Sequence, residues 1–302
     1  MRITNKTLTS NYLRNLNRNL AQMQKYHNQL SSFKEVSKPS DNPMLVSKIM
    51  SLKDNIAANE QYNTNISDSL GWTQTQDTAL NDVSRTLNRI RDLMIYGANG
   101  SLSDTDRAAI KDEVEMQMGQ LVDVLNTNFD GRYIFAGQKT TTRPFGLVDG
   151  VILYDGDENN IAREISTGVT IDLITSGREV VGTGNDTDNE LGKFLNDVLN
   201  AFSNKEGKSP KDLSGDLLGK MDTHLDRILR TRSKIGAVHN RLEAAEARNK
   251  AENMNLKGLL SSREDIDVAE KYMEFSVMAV VYQASLKTGA NILQPSLLDY
   301  LR

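Results

Sequence analysis

Apolar residues recur at alternating steps of three and four at both ends of this 302-residue chain. This spacing is typical of the contact seam of a helix that packs against other helices. The N-terminal seam consists of Leu13, Leu16, Leu20, Met23, His27 and Leu30. The C-terminal seam consists of Val268, Tyr272, Phe275, Ala279, Tyr282, Leu286, Gly289 and Leu293.

A second apolar stripe lies beside the C-terminal seam. It is formed by Met273, Val277, Val280, Val281 and Ala284. A helix that is apolar on more than one side is unfavourable in water, so other helices of this chain or of neighbouring subunits must cover it. The pattern therefore predicts that this helix has more than one packing partner.

The two ends of the chain carry opposite charge. Residues 1–34 contain six basic residues and no acidic one, whereas residues 264–287 have a net charge of −3. Complementary seams with opposite charge favour side-by-side packing of the terminal helices. An organelle transit peptide or a membrane-surface helix is the alternative for a basic amphipathic N-terminus.

Between the two ends, the sequence pattern predicts long helices separated by defined breaks. Asn42 is placed to cap a helix that starts at Pro43 and continues to Tyr96, a length of about 80 Å at 1.5 Å per residue. Glycines end that helix, and Ser103 with Asp106 forms a capping-box pattern for a helix folded back on it. A further three-four pattern runs through residues 218–260.

Residues 131–192 differ, because glycines are frequent there and apolar residues alternate. We expect short strands at Gly146–Tyr154, Ile161–Ile165 and Val169–Ile174, forming a local sheet that folds without subunit neighbours. The predicted fold class is mainly α: an elongated rod of long coiled-coil-like helices from both chain ends, with a small inserted β-rich domain. The predicted segments are 1–43, 44–130, 131–188, 189–263 and 264–302.

The sequence shows no residue pattern typical of a catalytic or metal-binding site. The chain has no cysteine, and His27, His224 and His239 lack the spacing of metal ligands. Residues 155–166 begin like a calcium loop but lack its glycine and its final glutamate. We therefore predict no catalytic site, no cofactor and no metal. The net charge of −4 argues against nucleic acid as a partner, and the longest apolar run, Val277–Tyr282, is too short for a membrane span.

Four segments resemble the flagellin family. They are Pro39–Pro43, Phe129–Gly137, Ile235–Ala237 with Asn240–Glu243, and Leu293–Arg302. The resemblance covers both helical ends and is weak over residues 140–185. Within the family, the first and last of these segments look most like the subunits that join the flagellar hook to the filament.

The resemblance implies a structural, non-enzymatic subunit outside the cell, exported through the flagellar type III channel without a cleaved signal peptide. It implies a ring of identical subunits on the hook tip, on which flagellin polymerises. The implied partners are further copies of the chain, the proximal hook-associated protein, flagellin and a cytoplasmic export chaperone. Flagellin itself and a cytoplasmic coiled-coil scaffold or signalling module are the alternatives.

The terminal seams are the predicted surface for assembly and for the chaperone. The candidate residues are Leu13, Leu16, Leu20, Met23, Leu30, Val268, Tyr272, Phe275, Ala279, Tyr282, Leu286 and Leu293.

Overall fold

The computed structural model describes residues 5–148, 150–182, 189–204 and 209–292. Helices dominate these residues, as the sequence predicted. In chain order the elements are α1 Asn5–Ser32, α2 Pro43–Gly97, α3 Asp104–Leu125, β1 Asn128–Phe129, β2 Arg132–Tyr133, β3 Phe145–Val148, β4 Val151–Tyr154, β5 Ile161–Ser166, β6 Val169–Leu173, α4 Arg178–Val181, α5 Glu190–Phe202, a 3-10 turn Pro210–Ser214, α6 Asp216–Glu264 and α7 Val268–Ile292.

Close Cα packing divides the chain into two compact units. The terminal unit comprises Met1–Ala58 together with Glu252–Arg302, and the central unit comprises Asn59–Ala251. The finer division into five segments stays a prediction.

Helix α2 confirms the predicted start and end. Its N-terminus is capped as expected, because the backbone N–H of Leu45 donates to Asn42 Oδ1 at 3.2 Å. The helix runs for 55 residues without a break and ends at Gly97. Gly97 packs so closely on the ring of Phe202 that no Cβ fits there, which explains the glycine at this position.

Helix α3 begins with the predicted capping box. Ser103 Oγ accepts a hydrogen bond from the backbone of Asp106, and the Asp106 carboxylate accepts one from the backbone of Ser103, each at 3.2 Å. Its buried Val114, Met118 and Leu121 enter the same apolar cluster as residues of α2. This confirms that α3 folds back onto α2.

The β-rich segment forms three separate antiparallel hairpins, β1–β2, β3–β4 and β5–β6, instead of one local sheet. The predicted strand Gly146–Tyr154 is wrong, since the chain reverses between β3 and β4. Gly150 adopts φ +79°, a left-handed conformation that favours glycine, in the middle of the apolar alternation. The alternation continues on both sides of the turn and therefore hides it.

The hairpins share their core with the helices of the central unit. Phe145 and Ile152 from β3–β4 are buried in the cluster that also holds Leu195 of α5. The Tyr154 phenol donates to the carbonyl of Asp157 and accepts from the backbone N–H of Gly177, at 2.8 and 3.0 Å. Burial raises the pKa of this phenol. That the segment folds without subunit neighbours stays a prediction.

Candidate assembly surface

Helices α1 and α7 of the terminal unit pack side by side in opposite directions. Tyr12 near the start of α1 donates its hydroxyl hydrogen to the backbone carbonyl of Ser285 near the end of α7, at 2.9 Å. At the other end of the pair, Lys271 lies 5.9 Å from the ring centroid of Tyr26. This antiparallel pairing confirms the expectation that the two chain ends meet.

The face of α1 that meets α7 differs from the predicted seam. Partly covered side chains recur at Tyr12, Leu16, Asn19, Met23, Tyr26 and Leu30. On α7 they recur at Lys271, Phe275, Met278, Tyr282 and Ser285, followed by the buried Gly289. Gly289 is needed because the ring of Tyr12 occupies the space that a Cβ would take. The contact between α1 and α7 also includes a polar pair, because Asn19 Nδ2 donates a hydrogen bond to Ser285 Oγ at 3.4 Å.

The predicted candidate residues separate into three groups. Those that are partly covered are Leu16, Leu20, Met23, Leu30, Phe275, Ala279 and Tyr282. Those that remain exposed beside the α1–α7 pairing are Leu13, Val268, Tyr272 and Leu286, and their place in the assembly and chaperone surface stays a prediction. Leu293 lies outside the described residues. Hydrophobicity alone missed Tyr12, Asn19 and Ser285, because polar side chains take part in the contact.

An uncovered apolar face lies on α7 away from α1. We call Met273, Val277, Val280, Val281 and Ala284 the free stripe. At about 100° per residue, Met273 and Val280 lie roughly half a turn away from the centre of the α1-facing side, and Val281 lies at the edge of the stripe nearest to that side. The side chains of Met273, Val277 and Val280 are 62%, 59% and 65% exposed. A contiguous apolar patch of this kind marks an interaction surface.

The two connectors of the terminal unit meet in what we call the connector bridge, formed by residues 33–35 and 264–266. The backbone N–H of Glu35 donates to the carbonyl of Glu264 at 2.7 Å, and that of Ile266 donates to Phe33 at 3.3 Å. The buried carboxylate of Glu264 also lies 2.8 Å from Lys53 Nζ and 3.4 Å from Lys34 Nζ. The bridge thus ties the end of α1 to α2, α6 and α7.

Hydrogen bonds and nearby charges shift the pKa values of ionisable groups in the bridge and beside it. The hydrogen bond from Ser261, followed by that from Lys34, lowers the pKa of Asp265. The hydrogen bond to Asp265 raises the pKa of Lys34 despite partial burial. Burial alone would lower the pKa of Lys271, but its hydrogen bond to Glu274 and the charge of Glu35 outweigh burial and raise it.

Each of the three histidines lies beside a side chain from another part of the sequence. His27 lies against Phe275, with ring centroids 6.3 Å apart, and His224 lies against Phe194 at 5.0 Å. His239 Nδ1 is 2.9 Å from the hydroxyl oxygen of Thr73. Across the four described ranges, no group of acidic and histidine side chains is arranged to hold a metal ion. Within the same ranges, every helix is too short or too polar to cross a bilayer.

Both helices of the α1–α7 pair lie in segments that match known proteins. Residues 3–140 match the sequence model of the bacterial flagellin N-terminal helical region, and residues 218–301 match that of the C-terminal helical region. The chain belongs to the flagellin family. The N-terminal match contains α1 and the C-terminal match contains α7, so the antiparallel contact joins the two helical regions that define the family.

Individual members of the flagellin family match over nearly the whole chain. Flagellar hook-associated protein 3 of Escherichia coli is 26% identical over 304 residues, covering 95% of each chain. A flagellin of Bacillus subtilis is 25% identical and covers 100% of both chains. A solved Vibrio parahaemolyticus protein described as flagellar hook-associated superposes with a TM-score of 0.65 at 25% identity, covering 74% of this chain and 100% of that one.

Proposed function

We propose that this chain is a structural subunit of the bacterial flagellum that joins the hook to the filament, where flagellin polymerises on it. The observation that carries the proposal is the match to hook-associated protein 3 along 95% of both chains. The paired terminal helices support it, because a subunit that presents an apolar helix face is built for contact with other subunits. The role is structural and not catalytic.

Flagellin is the second candidate, because the B. subtilis flagellin matches along both whole chains. The position of the protein along the flagellum distinguishes a junction subunit from a flagellin. Gold-labelled antibody against this chain should bind isolated flagella at the boundary between hook and filament. Deletion of the gene should leave hooks without filaments and release flagellin monomers into the medium. Labelling along the entire filament would favour flagellin, and normal filaments in the deletion strain would contradict the junction role.

The free stripe is the proposed contact with neighbouring subunits. Another side of α7 is already in contact with α1, whereas Met273, Val277 and Val280 are exposed to an incoming partner. Covering one such side chain completely removes apolar area worth about 1.5–3 kcal/mol. Several together stabilise a subunit contact that the isolated chain lacks.

A negative charge on the free stripe tests this surface. Val280→Asp should abolish filament attachment, because burying an unpaired carboxylate is strongly unfavourable. Gln283→Asp introduces the same charge at an exposed position outside the free stripe, about 60° round the helix from Val280 on the side away from Val277, and is the matched control. Leu286→Asp examines the predicted seam and should weaken attachment less than Val280→Asp. Normal filaments with Val280→Asp would remove the free stripe from the contact.

The remaining proposed partners bind the same surface. Export as an uncleaved chain through the flagellar channel requires that the free stripe be shielded in the cytoplasm, and a chaperone with an apolar helix-binding groove fits that need. After export, the stripe becomes available for other copies in a ring, for the proximal hook-associated protein and for flagellin. Chaperone affinity should therefore fall in Val280→Asp and change little in Gln283→Asp.

A further inference from the structure

Methionine supplies all the sulfur in this chain, which has eleven methionines and no cysteine. The side chains of Met44, Met50, Met116, Met254 and Met273 are exposed, whereas Met94, Met118 and Met221 are buried in the central unit. Thioether oxidation depends on access of the oxidant, so the exposed group reacts first. The structure thus sorts the methionines into reactive and protected sets.

Met273 differs from the exposed Met116 and Met254 in its surroundings. Its neighbours along the helix face, Val277 and Val280, are apolar and exposed and belong with it to the free stripe. Met116 lies on α3 between Asp112 and Gln120, one turn away on either side. Met254 likewise lies between Lys250 and Gly258. A polarity change at Met273 therefore alters an apolar contact surface, whereas the same change at Met116 alters a polar one.

We propose that Met273 is an oxidation site through which hydrogen peroxide controls assembly, by converting the free stripe into a surface that no longer docks. This inference rests on the proposed function, since it takes the free stripe as the subunit contact. The chain is sensitive before assembly, when Met273 is 62% exposed. Once the stripe is covered, Met273 is protected.

The chemical step is a two-electron oxygen transfer. The thioether sulfur of Met273 attacks one oxygen of hydrogen peroxide, the O–O bond breaks and an S–O bond forms. The sulfur is oxidised to a sulfoxide, and the peroxide is reduced to water after proton transfer to the departing oxygen. Enzymatic reduction of both sulfoxide epimers restores the thioether.

The sulfoxide weakens docking because its oxygen is a strong hydrogen-bond acceptor. Among the valines of the free stripe it finds no donor, and burying an unsatisfied polar group is unfavourable. In the free chain the same oxygen is hydrated, so folding is unaffected. We expect oxidation at Met273 to weaken attachment by roughly tenfold or more.

A competition within one sample tests the proposal without relying on a variant. Full-length chain is partly oxidised with hydrogen peroxide and offered to hooks isolated from a strain that lacks this protein. Peptide mass spectrometry then measures each sulfoxide in the input and attached fractions. Met273 sulfoxide should be depleted from the attached chains, Met116 sulfoxide should be equally frequent in both fractions, and Met118 should stay unoxidised.

Two variants sharpen the result. Met273→Gln places a permanent polar group on the stripe and should attach less than Met116→Gln, which carries the same change on α3. Reduction of the oxidised wild-type chain should restore its attachment. Equal frequencies of Met273 sulfoxide in the input and attached fractions would overturn the proposal, as would oxidation of Met273 no faster than that of Met118.

Failure of the oxidation site and failure of the proposed function give different results. If untreated wild-type chain does not attach to hooks, the proposed function fails. If untreated chain attaches and Met273 sulfoxide attaches equally well, the function stands and the oxidation site is rejected.

Discussion

The central unit and the terminal unit bury apolar residues to very different extents. In Asn59–Ala251 the buried apolar side chains form one continuous cluster that includes Ile66, Leu87 and Ala245. In the described part of the terminal unit, Ile49 and Ile56 are the buried apolar side chains, and both belong to α2. We therefore expect the stability of the chain to come chiefly from the central unit, while the terminal unit leaves apolar side chains exposed.

The largest loss of stability is expected from a substitution in the core of the central unit. Leu87→Ala should reduce the free energy of unfolding by about 2–5 kcal/mol, because it leaves a cavity beside fully buried neighbours. Phe275→Ala in α7 should leave the main unfolding transition unchanged and increase cleavage of the terminal helices. Chemical denaturation and limited proteolysis of both variants measure this contrast. Equal losses in the main transition would mean that the two regions unfold as one.

Acid should weaken the central unit through His224. Burial, followed by the nearby charge of Arg227, lowers the pKa of His224 from 6.5 to about 4. The folded state therefore favours the neutral ring, and this contribution is fully present above pH 6.5. It is lost as the pH falls from there towards 4, and amounts to at most about 3 kcal/mol.

Denaturation at about pH 7.5 and about pH 4.5 measures the acid effect. His224→Leu should flatten the pH dependence, since it removes the ring that must be protonated. An unchanged slope in this variant would assign acid sensitivity to other groups.

A smaller effect is expected at the connector bridge. Glu264→Gln removes the charge that faces Lys34 and Lys53, and should weaken the attachment of the terminal helices by about 1–2 kcal/mol. Hydrogen exchange should then rise in α1 and α7 while the central unit stays protected. Arg263→Gln, at the exposed neighbouring position, is the control, and equal exchange in the two variants would refute the role of Glu264.

Local signals in the sequence predicted much of the fold. Two helix starts were predictable because they depend on hydrogen bonds within a few residues. These are the starts at Asn42 with Pro43 and at Ser103 with Asp106. The β3–β4 reversal was missed because Leu147 and Ile152 continue an alternating pattern across Gly150. The observed contact face of α1 differs from the predicted seam because it includes Asn19. This residue pairs with Ser285, which is distant in the sequence, so local periodicity does not predict the contact.

The most informative measurement is hydrogen exchange on the full-length chain, free and attached to hooks. The account predicts that in the free chain the central unit around Leu80 and Leu87 is strongly protected, while α1 and α7 exchange quickly because little of their apolar surface is covered. After attachment, protection should appear along the free stripe at Met273, Val277 and Val280. Slow exchange of α7 in the free chain, unchanged by attachment, would contradict the claim that assembly completes the terminal unit.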